Sequence, residues 1–455
     1  MNLDKIHSIY FIGIGGIGMS GLARYFNMKG KKISGYDKTP TELTDELISA
    51  GINIHFEENT QLIPNDADLV VYTPAIPAGH AELVYCLRHN MQVIKRSELL
   101  ETVTNDSFTI AVAGTHGKTT TTSMIAHILK HSGYDCTAFL GGIAANYNSN
   151  FISGKNETVV VEADEYDRSF LRLHPAIGVI TSCDPDHLDI YGSEEEVVKA
   201  YSEFACRIKP DGMLITKKTL PFLTSCTHSN KQFYSVNDTT DFHANNLQLR
   251  NGTYAFDFST PEYSIRDIHL SVAGYHNVEN AVAAAAVAYN LEIGKEKIAA
   301  ALCSFTGVKR RFEFIIRNEK LVFIDDYAHH PVEITAFLKS VREIFPDKKI
   351  TCIFQPHLYS RTRDFADDFG KALSYADELI LLPVYPAREL PIAGVSSEML
   401  LGKVSVPSKM VTEKTNLIAE LKKRKLEVIA TVGAGDIDQL VEPVKKLLIN
   451  SSKIF

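Results

Sequence analysis

Short apolar runs alternate with longer stretches of helical periodicity along the whole chain, a pattern that predicts parallel-sheet α/β domains. The first run, residues 8–14 (SIYFIGI), passes through a glycine turn into a helix predicted near 19–29. Further strands are predicted at 32–36, ending at Asp37, and at 67–72, running into the Pro-containing loop 73–77. The pattern turns polar at 101–107 (ETVTNDS), which places a first boundary there. A second series has strands at 108–113, 158–161 and 177–181 and an alanine-rich helix at 281–289. Within it, residues 230–266 read as short strands with turns, an antiparallel insertion. A second linker is placed at 307–312, followed by strands at 321–324, 350–354, 378–382 and 427–431 with helices between them. The chain is therefore expected to form three α/β domains, over 1–104, 105–308 and 309–455.

Composition narrows the class. A chain of 455 residues is too long for one ordinary core. Its 45% hydrophobic and 22% charged residues are those of a soluble globular protein. The net charge of -8 comes without a basic stripe or a block of like charges, which argues against nucleic acid or a membrane surface as a partner. No stretch approaches a membrane span, and MNLDKIHSIYFIGIGG runs straight into a strand without a signal-peptide layout. Seven scattered cysteines with no CxxC pair disfavour a disulfide framework or a zinc site and fit a reducing, cytoplasmic compartment.

The candidate chemistry begins at Gly13-Ile14-Gly15-Gly16-Ile17-Gly18, between a strand and a helix, with Asp37 about twenty residues on. Glycines there let backbone N–H groups approach a diphosphate at a helix N-terminus, and the acid can bind a ribose. Alone this is a dinucleotide fingerprint, suggesting an oxidoreductase, although such turns also serve packing.

A second turn, Gly114-Thr115-His116-Gly117-Lys118-Thr119-Thr120, also joins a strand to a helix. It ends as a phosphate-binding loop does, with Lys118 for the β- and γ-phosphates and the Thr119 hydroxyl for Mg²⁺. Val112 stands where the strict pattern has glycine, so this is a variant. A dehydrogenase has no need of a triphosphate loop. Two phosphate motifs in two domains favour an ATP-driven reaction on a nucleotide-tagged substrate.

Two acidic clusters fall at predicted strand ends, Glu162-Ala163-Asp164-Glu165-Tyr166-Asp167 and Asp184-Pro185-Asp186-His187-Leu188-Asp189. In parallel sheets chemistry collects at carboxyl ends, and Glu162 with His187 is a candidate for holding Mg²⁺ against ATP. Asn277 and Asn280 open the alanine-rich helix and read equally as caps or ligands. Arg310 and Arg311 are either solvated linker charges or groups that reach phosphate on domain closure. Asp326, in Asp325-Asp326-Tyr327-Ala328-His329-His330-Pro331, could meet a ribose.

Taken in order, FIGIGGIGMSGLA, AGTHGKTTTTSM, EADEYDRSFL, DPDHLD, GYHNVENA, GVKRRFE, DDYAHHPVEI and FQPHLYSRTRD resemble the Mur ligases of peptidoglycan synthesis. The resemblance runs from about residue 9 to 437 and points to the alanine-adding branch. It implies a Rossmann-like N-terminal domain, a central P-loop ATPase domain with a mainly parallel sheet, and a Rossmann-like C-terminal domain that closes over the site. Gly15, Gly16, Gly18, Met19 and Ser20, with Asp37, Thr73 and Arg96, match positions that hold the UDP of the substrate. Residues Gly114 to Thr120 match the MgATP loop, and Thr119, Glu162 and His187 the metal positions. Asn277, Asn280, Arg310, Arg311 and Asp326 match positions at the nucleotide or the transferring phosphate, and His329 and Arg361 lie in loops on the amino-acid side. The implied reaction phosphorylates the carboxylate of UDP-N-acetylmuramate with ATP and couples it to L-alanine, in a monomer or a homodimer.

Three departures qualify the match. Later ligases of the pathway carry a lysine, modified to a metal-binding carbamate, fourteen residues after the DxDH histidine; here that position is Tyr201, as expected of the alanine-adding branch. A usual Gly-His appears as His55-Phe56, and no role is carried over there. EADEYD also occurs in a relative that recycles murein tripeptide, but Ser169-Phe170-Leu171 and the FQPHLYSRT segment favour the alanine-adding enzyme. A dinucleotide-dependent oxidoreductase and a nucleotide-sensing protein without chemistry are the readings from other classes.

Overall fold

A computed structural model describes residues 1–186, 188–387 and 389–452, and leaves the side chains of Asp167, Leu188, Asp189, Ser451 and Ser452 aside. The chain separates into two compact units. One comprises Met1–Asn246, Phe256–Ile268 and Glu279–Thr306; the other comprises Leu247–Ala255, His269–Val278 and Gly307–Phe455.

The first unit opens with a five-stranded parallel sheet in the order Asn53–His55, Lys32–Tyr36, Ser8–Ile12, Leu69–Tyr72, Val93–Lys95. Ser8–Ile12 is central and buried along its whole length, which is why SIYFI is an unbroken run rather than an alternation. It stops at Ile12 because Gly13 turns the chain at φ +87°. The helix Ile17–Met28 follows. The polar stretch 101–107 closes the helix Arg96–Asn105, in which Thr104 is buried and returns its hydroxyl to the Leu100 carbonyl at 2.9 Å, and leads directly into the next strand at Phe108.

A ten-stranded sheet has Phe108–Ala113 between Ile177–Ile180 and Thr158–Glu162, all parallel. Three apolar strands thus end side by side at the phosphate loop and the two acidic clusters. The insertion differs from expectation in its first strand. Lys231–Val236 pairs parallel with both Met213–Thr216 and Phe242–Arg250, so the insertion extends the existing sheet. Phe242–Arg250, Thr253–Ser259 and Ser264–His269 then follow one another in that sheet through turns too short for anything but the expected antiparallel course. The Asp241 carboxylate, accepting from the Phe233 N–H at 2.7 Å, braces that crossover.

Helix Ile17–Met28 packs on the strands Thr137–Ala144 and Ser149–Ile152 through Tyr25, Phe139 and Phe151, whose ring centroids lie 5.5–6.3 Å apart. At the same seam Asn150 Nδ2 donates to the Ile17 carbonyl at 2.6 Å and to Ser20 Oγ at 2.8 Å.

The second unit holds a six-stranded sheet in the order Glu313–Arg317, Val322–Asp326, Val428–Val432, Ile350–Phe354, Glu378–Leu381, Ser408–Val411. The first pair is antiparallel and the rest are parallel. Both edge strands escaped prediction. Ser408–Val411 is half exposed, as edge strands are, and carries no apolar run.

Candidate active site

Strand Phe108–Ala113 delivers the chain into a loop that its geometry reserves for glycine. Gly114 sits at φ +138°, and a Cβ there would lie 2.0 Å from Thr181 Oγ1 and 2.9 Å from the Ser182 nitrogen. The loop is pinned to the neighbouring strand end. Thr181 Oγ1 donates to the His116 carbonyl at 2.5 Å, and the His116 N–H donates to Ser182 Oγ at 2.8 Å. Thr115 Oγ1 donates to the Asp184 carbonyl at 2.7 Å and lies 3.4 Å from the buried Tyr201 hydroxyl. Tyr201, at the position where other branches have lysine, is therefore part of the packing behind the loop.

Helix Lys118–Ser132 starts from the loop, with Thr119–Thr122 buried against the sheet. Threonine is a weak helix former, and packing of the buried face offsets that cost. Thr121 Oγ1 donates to Asn280 Oδ1 at 3.2 Å, so Asn280 lies beside the start of this helix. Lys118 Nζ donates to the Gly114 carbonyl at 2.7 Å and to Glu165 Oε1 at 2.9 Å, with Glu165 Oε2 in ion-pair contact at 2.7 Å. Burial works against the charge on Lys118, but Glu165, with Glu162 and Asp164, outweighs it and raises the pKa. Burial also pushes Glu165 up, to about 7, which opposes the pair. The 2.7 Å contact decides between these tendencies: the two are an ion pair at neutral pH.

The Thr119 hydroxyl donates to Glu162 Oε2 at 2.8 Å. Glu162 lies over Gly141, where a Cβ would fall 2.0 Å from Oε2. Hydroxyl and carboxylate are hard oxygen donors, the set that magnesium takes together with phosphate oxygens and water. Among the described residues no group of three or more His, Cys, Asp or Glu is placed to hold a metal ion. His187, the third expected ligand, lies outside the described residues.

In the same unit the Asp37 carboxylate accepts from the Gly15 N–H at 2.7 Å, tying the second strand to the glycine turn. Arg96 lies across that turn: a Cβ on Gly18 would be 3.0 Å from its Nη1. Arg96 also pairs with Asp164 at 3.7 Å, so the acidic strand end touches both phosphate motifs. The Thr73 methyl stands beside Gly13, 3.1 Å from where a Cβ would be. Met19 and Ser20 are buried, and Ser20 is engaged with Asn150 in the helix–sheet seam.

The second unit assembles a separate set. Arg310, at φ +61°, donates to Asp325 at 3.0 Å and to the Gly433 carbonyl at 2.7 Å, so it is fixed rather than free in a linker. Arg311 sits 5.0 Å from the Tyr327 ring centroid and 3.8 Å from Glu333. Asp326 accepts from the N–H groups of Phe312 at 2.6 Å and Ala328 at 2.7 Å; burial pushes its pKa up to about 6 against the opposing pull of Arg311. His329 Nδ1 is 3.0 Å from the Tyr327 carbonyl, Arg361 is buried, and Asn277 Nδ2 donates to the Ala273 carbonyl at 2.6 Å.

Sequence reasoning singled out neither Thr181, Ser182, Gly141 nor Glu165. For Thr181, Ser182 and Glu165 the only signal was position, at the end of a strand or inside EADEYD, and Gly141, within strand Thr137–Ala144, had none.

Comparison with known proteins agrees along the chain. The family model described as "Mur ligase family, catalytic domain" matches residues 8–107, "Mur ligase middle domain" 112–288, and "Mur ligase, glutamate ligase domain" 310–437. A UDP-N-acetylmuramate–L-alanine ligase of Flavobacterium johnsoniae is 49% identical, with 98% of this chain and 99% of that protein covered. One of Parabacteroides distasonis is also 49% identical, over 98% of each. The crystal structure of a UDP-N-acetylmuramate-alanine ligase from Thermotoga maritima superposes with a TM-score of 0.83 at 30% identity, covering 98% of this chain and 99% of that one. A murein peptide ligase from Psychrobacter arcticus shares the fold, with a TM-score of 0.74 at 24% identity over 97% and 98%.

Proposed function

This chain belongs to the Mur ligase family, and from that premise we infer that it joins L-alanine to the carboxylate of UDP-N-acetylmuramate at the expense of ATP. The carrying observation is near-full-length identity of about half to alanine ligases, together with a charged phosphate-loop lysine beside the carboxylates of the next strand. The recycling ligase has support at the level of fold alone. The oxidoreductase reading leaves the phosphate loop unexplained.

In the first step the muramoyl carboxylate attacks the γ-phosphorus, giving an acyl phosphate and ADP. The alanine amine then attacks the acyl carbon, and the tetrahedral intermediate expels phosphate, a far better leaving group than hydroxide. Lys118 supplies positive charge where the β- and γ-phosphates rest, and the loop backbone from Gly114 to Thr120 orients them. Thr119 and Glu162 fit Mg²⁺, which when bound spreads the charge of the phosphoryl group. Gly15, Gly16 and Gly18, with Asp37, Thr73 and Arg96, are proposed to hold the UDP handle. Asn277, Asn280, Arg310, Arg311 and Asp326 are assigned to the nucleotide and phosphate, and His329 and Arg361 to the amino acid. The setting is the cytoplasm, as a monomer or homodimer; among the described residues no helix is long and apolar enough to cross a membrane.

The test is ADP release with UDP-N-acetylmuramate, ATP, Mg²⁺ and single amino acids. L-Alanine is expected to drive turnover. Turnover with preformed tripeptide and none with L-alanine would move the assignment to the recycling ligase, and NADH binding with no ADP release would move it to an oxidoreductase.

A further inference from the structure

An ammonium group has three N–H donors. On Lys118 they are taken by the Gly114 carbonyl, by Glu165 Oε1 and, more weakly at 3.4 Å, by the Thr115 carbonyl, while Glu165 Oε2 stands in ion-pair contact at 2.7 Å. A triphosphate entering the loop needs the same ammonium. Glu165 is buried, and its peptide is fixed because the Tyr191 hydroxyl donates to its carbonyl at 2.7 Å. Its Oε2 has no hydrogen-bond partner apart from this ion-pair contact. When Lys118 turns to phosphate, the carboxylate is left in a dry site without its countercharge, which is costly.

We propose that Glu165 is a positioning residue that holds Lys118 folded onto its own loop and competes for it with the β- and γ-phosphates of ATP. The proposal rests on the ATP reading above. Glu165 thereby weakens ground-state binding of the nucleotide, which on its own would not speed the chemical step. It also recaptures Lys118 when ADP departs. Asp164, the preceding residue, faces Arg96 at the glycine turn, so adjacent acids brace one cation from each phosphate motif.

The experiment titrates the full chain with ATP, ADP and AMP in Mg²⁺ by calorimetry, for the natural protein and Glu165→Gln. The variant is expected to bind ATP and ADP about tenfold tighter, a change of about 1.4 kcal/mol. AMP, which lacks β- and γ-phosphates, should bind unchanged, and the KM for ATP should fall while that for UDP-N-acetylmuramate holds. Unchanged or weaker ATP binding by the folded variant, or an equal shift for AMP, overturns the proposal. If melting shows that Glu165→Gln does not fold, Glu165→Asp, with its carboxylate one methylene further back, must show the same selective tightening. A natural protein that binds no ATP refutes the ATP reading itself, whereas normal turnover with no tightening in the variants refutes only the role of Glu165.

Discussion

Replacing Gly141 by alanine tests whether the placement of Glu162 matters as the geometry implies. Gly141 lies on strand Thr137–Ala144, is exposed, and does not have a positive φ. The new Cβ would lie 2.0 Å from Oε2, 2.6 Å from Cδ and 2.8 Å from Oε1 of Glu162. Carbon and oxygen need roughly 3.4 Å or more, so the carboxylate must withdraw by more than about 1 Å. It sits at the end of a flexible side chain, and the fold tolerates the move. Alanine in an extended strand even gains roughly 0.5 kcal/mol in backbone entropy. The hydrogen bond from Thr119 is lost, and with it the paired oxygen donors. A misplacement of about 1 Å at a reacting centre costs on the order of 100-fold, or about 2.7 kcal/mol of barrier. The assay is kcat for ADP release with L-alanine, alongside thermal melting. A kcat within threefold of the natural protein would refute the reasoning, and so would a drop in Tm large enough to account for the loss.

Two other substitutions probe separate parts of the molecule. Gly18→Ala places a methyl 3.0 Å from Arg96 Nη1 and 3.2 Å from its Cδ, and should raise the KM for UDP-N-acetylmuramate several-fold while sparing that for ATP; equal effects on both would contradict the separate site. His127 is buried with Tyr147 Oη and Ser304 Oγ each 3.0 Å from its ring nitrogens, and burial, with His131, lowers its pKa to about 4. Its stabilisation is fully present above the unfolded pKa near 6.5 and is lost as pH falls towards 4, by about 2 kcal/mol at pH 5. Urea midpoints at pH 7.5 and 5.0 should therefore differ less in His127→Gln, and an unchanged acid sensitivity would count against it.

Much of the framework was legible because central parallel strands are apolar on both faces. SIYFI, FTIAVA, IGVI and ITCIF each became a buried or nearly buried strand. Periodicity carries no information about pairing direction, so the parallel course of Lys231–Val236 went unseen. In the candidate site, Lys118, Thr119 and Glu162 were proposed from the sequence because their chemistry is in their side chains, and the fold brings Thr119 onto Glu162 beside the Lys118 loop. Gly141 escaped notice because what it contributes is space. Thr181 and Ser182 escaped because hydroxyls that bind a loop backbone look like any others in a list of residues.

The seam between helix Ile17–Met28 and the strands Thr137–Ala144 and Ser149–Ile152 has a consequence for how the protein comes apart. Rings on both sides interlock, and the Asn150 amide donates across the seam to a helix carbonyl and to a serine hydroxyl. Heating cannot open the glycine-turn sheet alone without exposing that apolar face and breaking those bonds. Residues 1–104 and the central sheet should thus melt as one cooperative transition, and limited proteolysis should not release the first hundred residues as a stable fragment. The two phosphate motifs would persist together or be lost together.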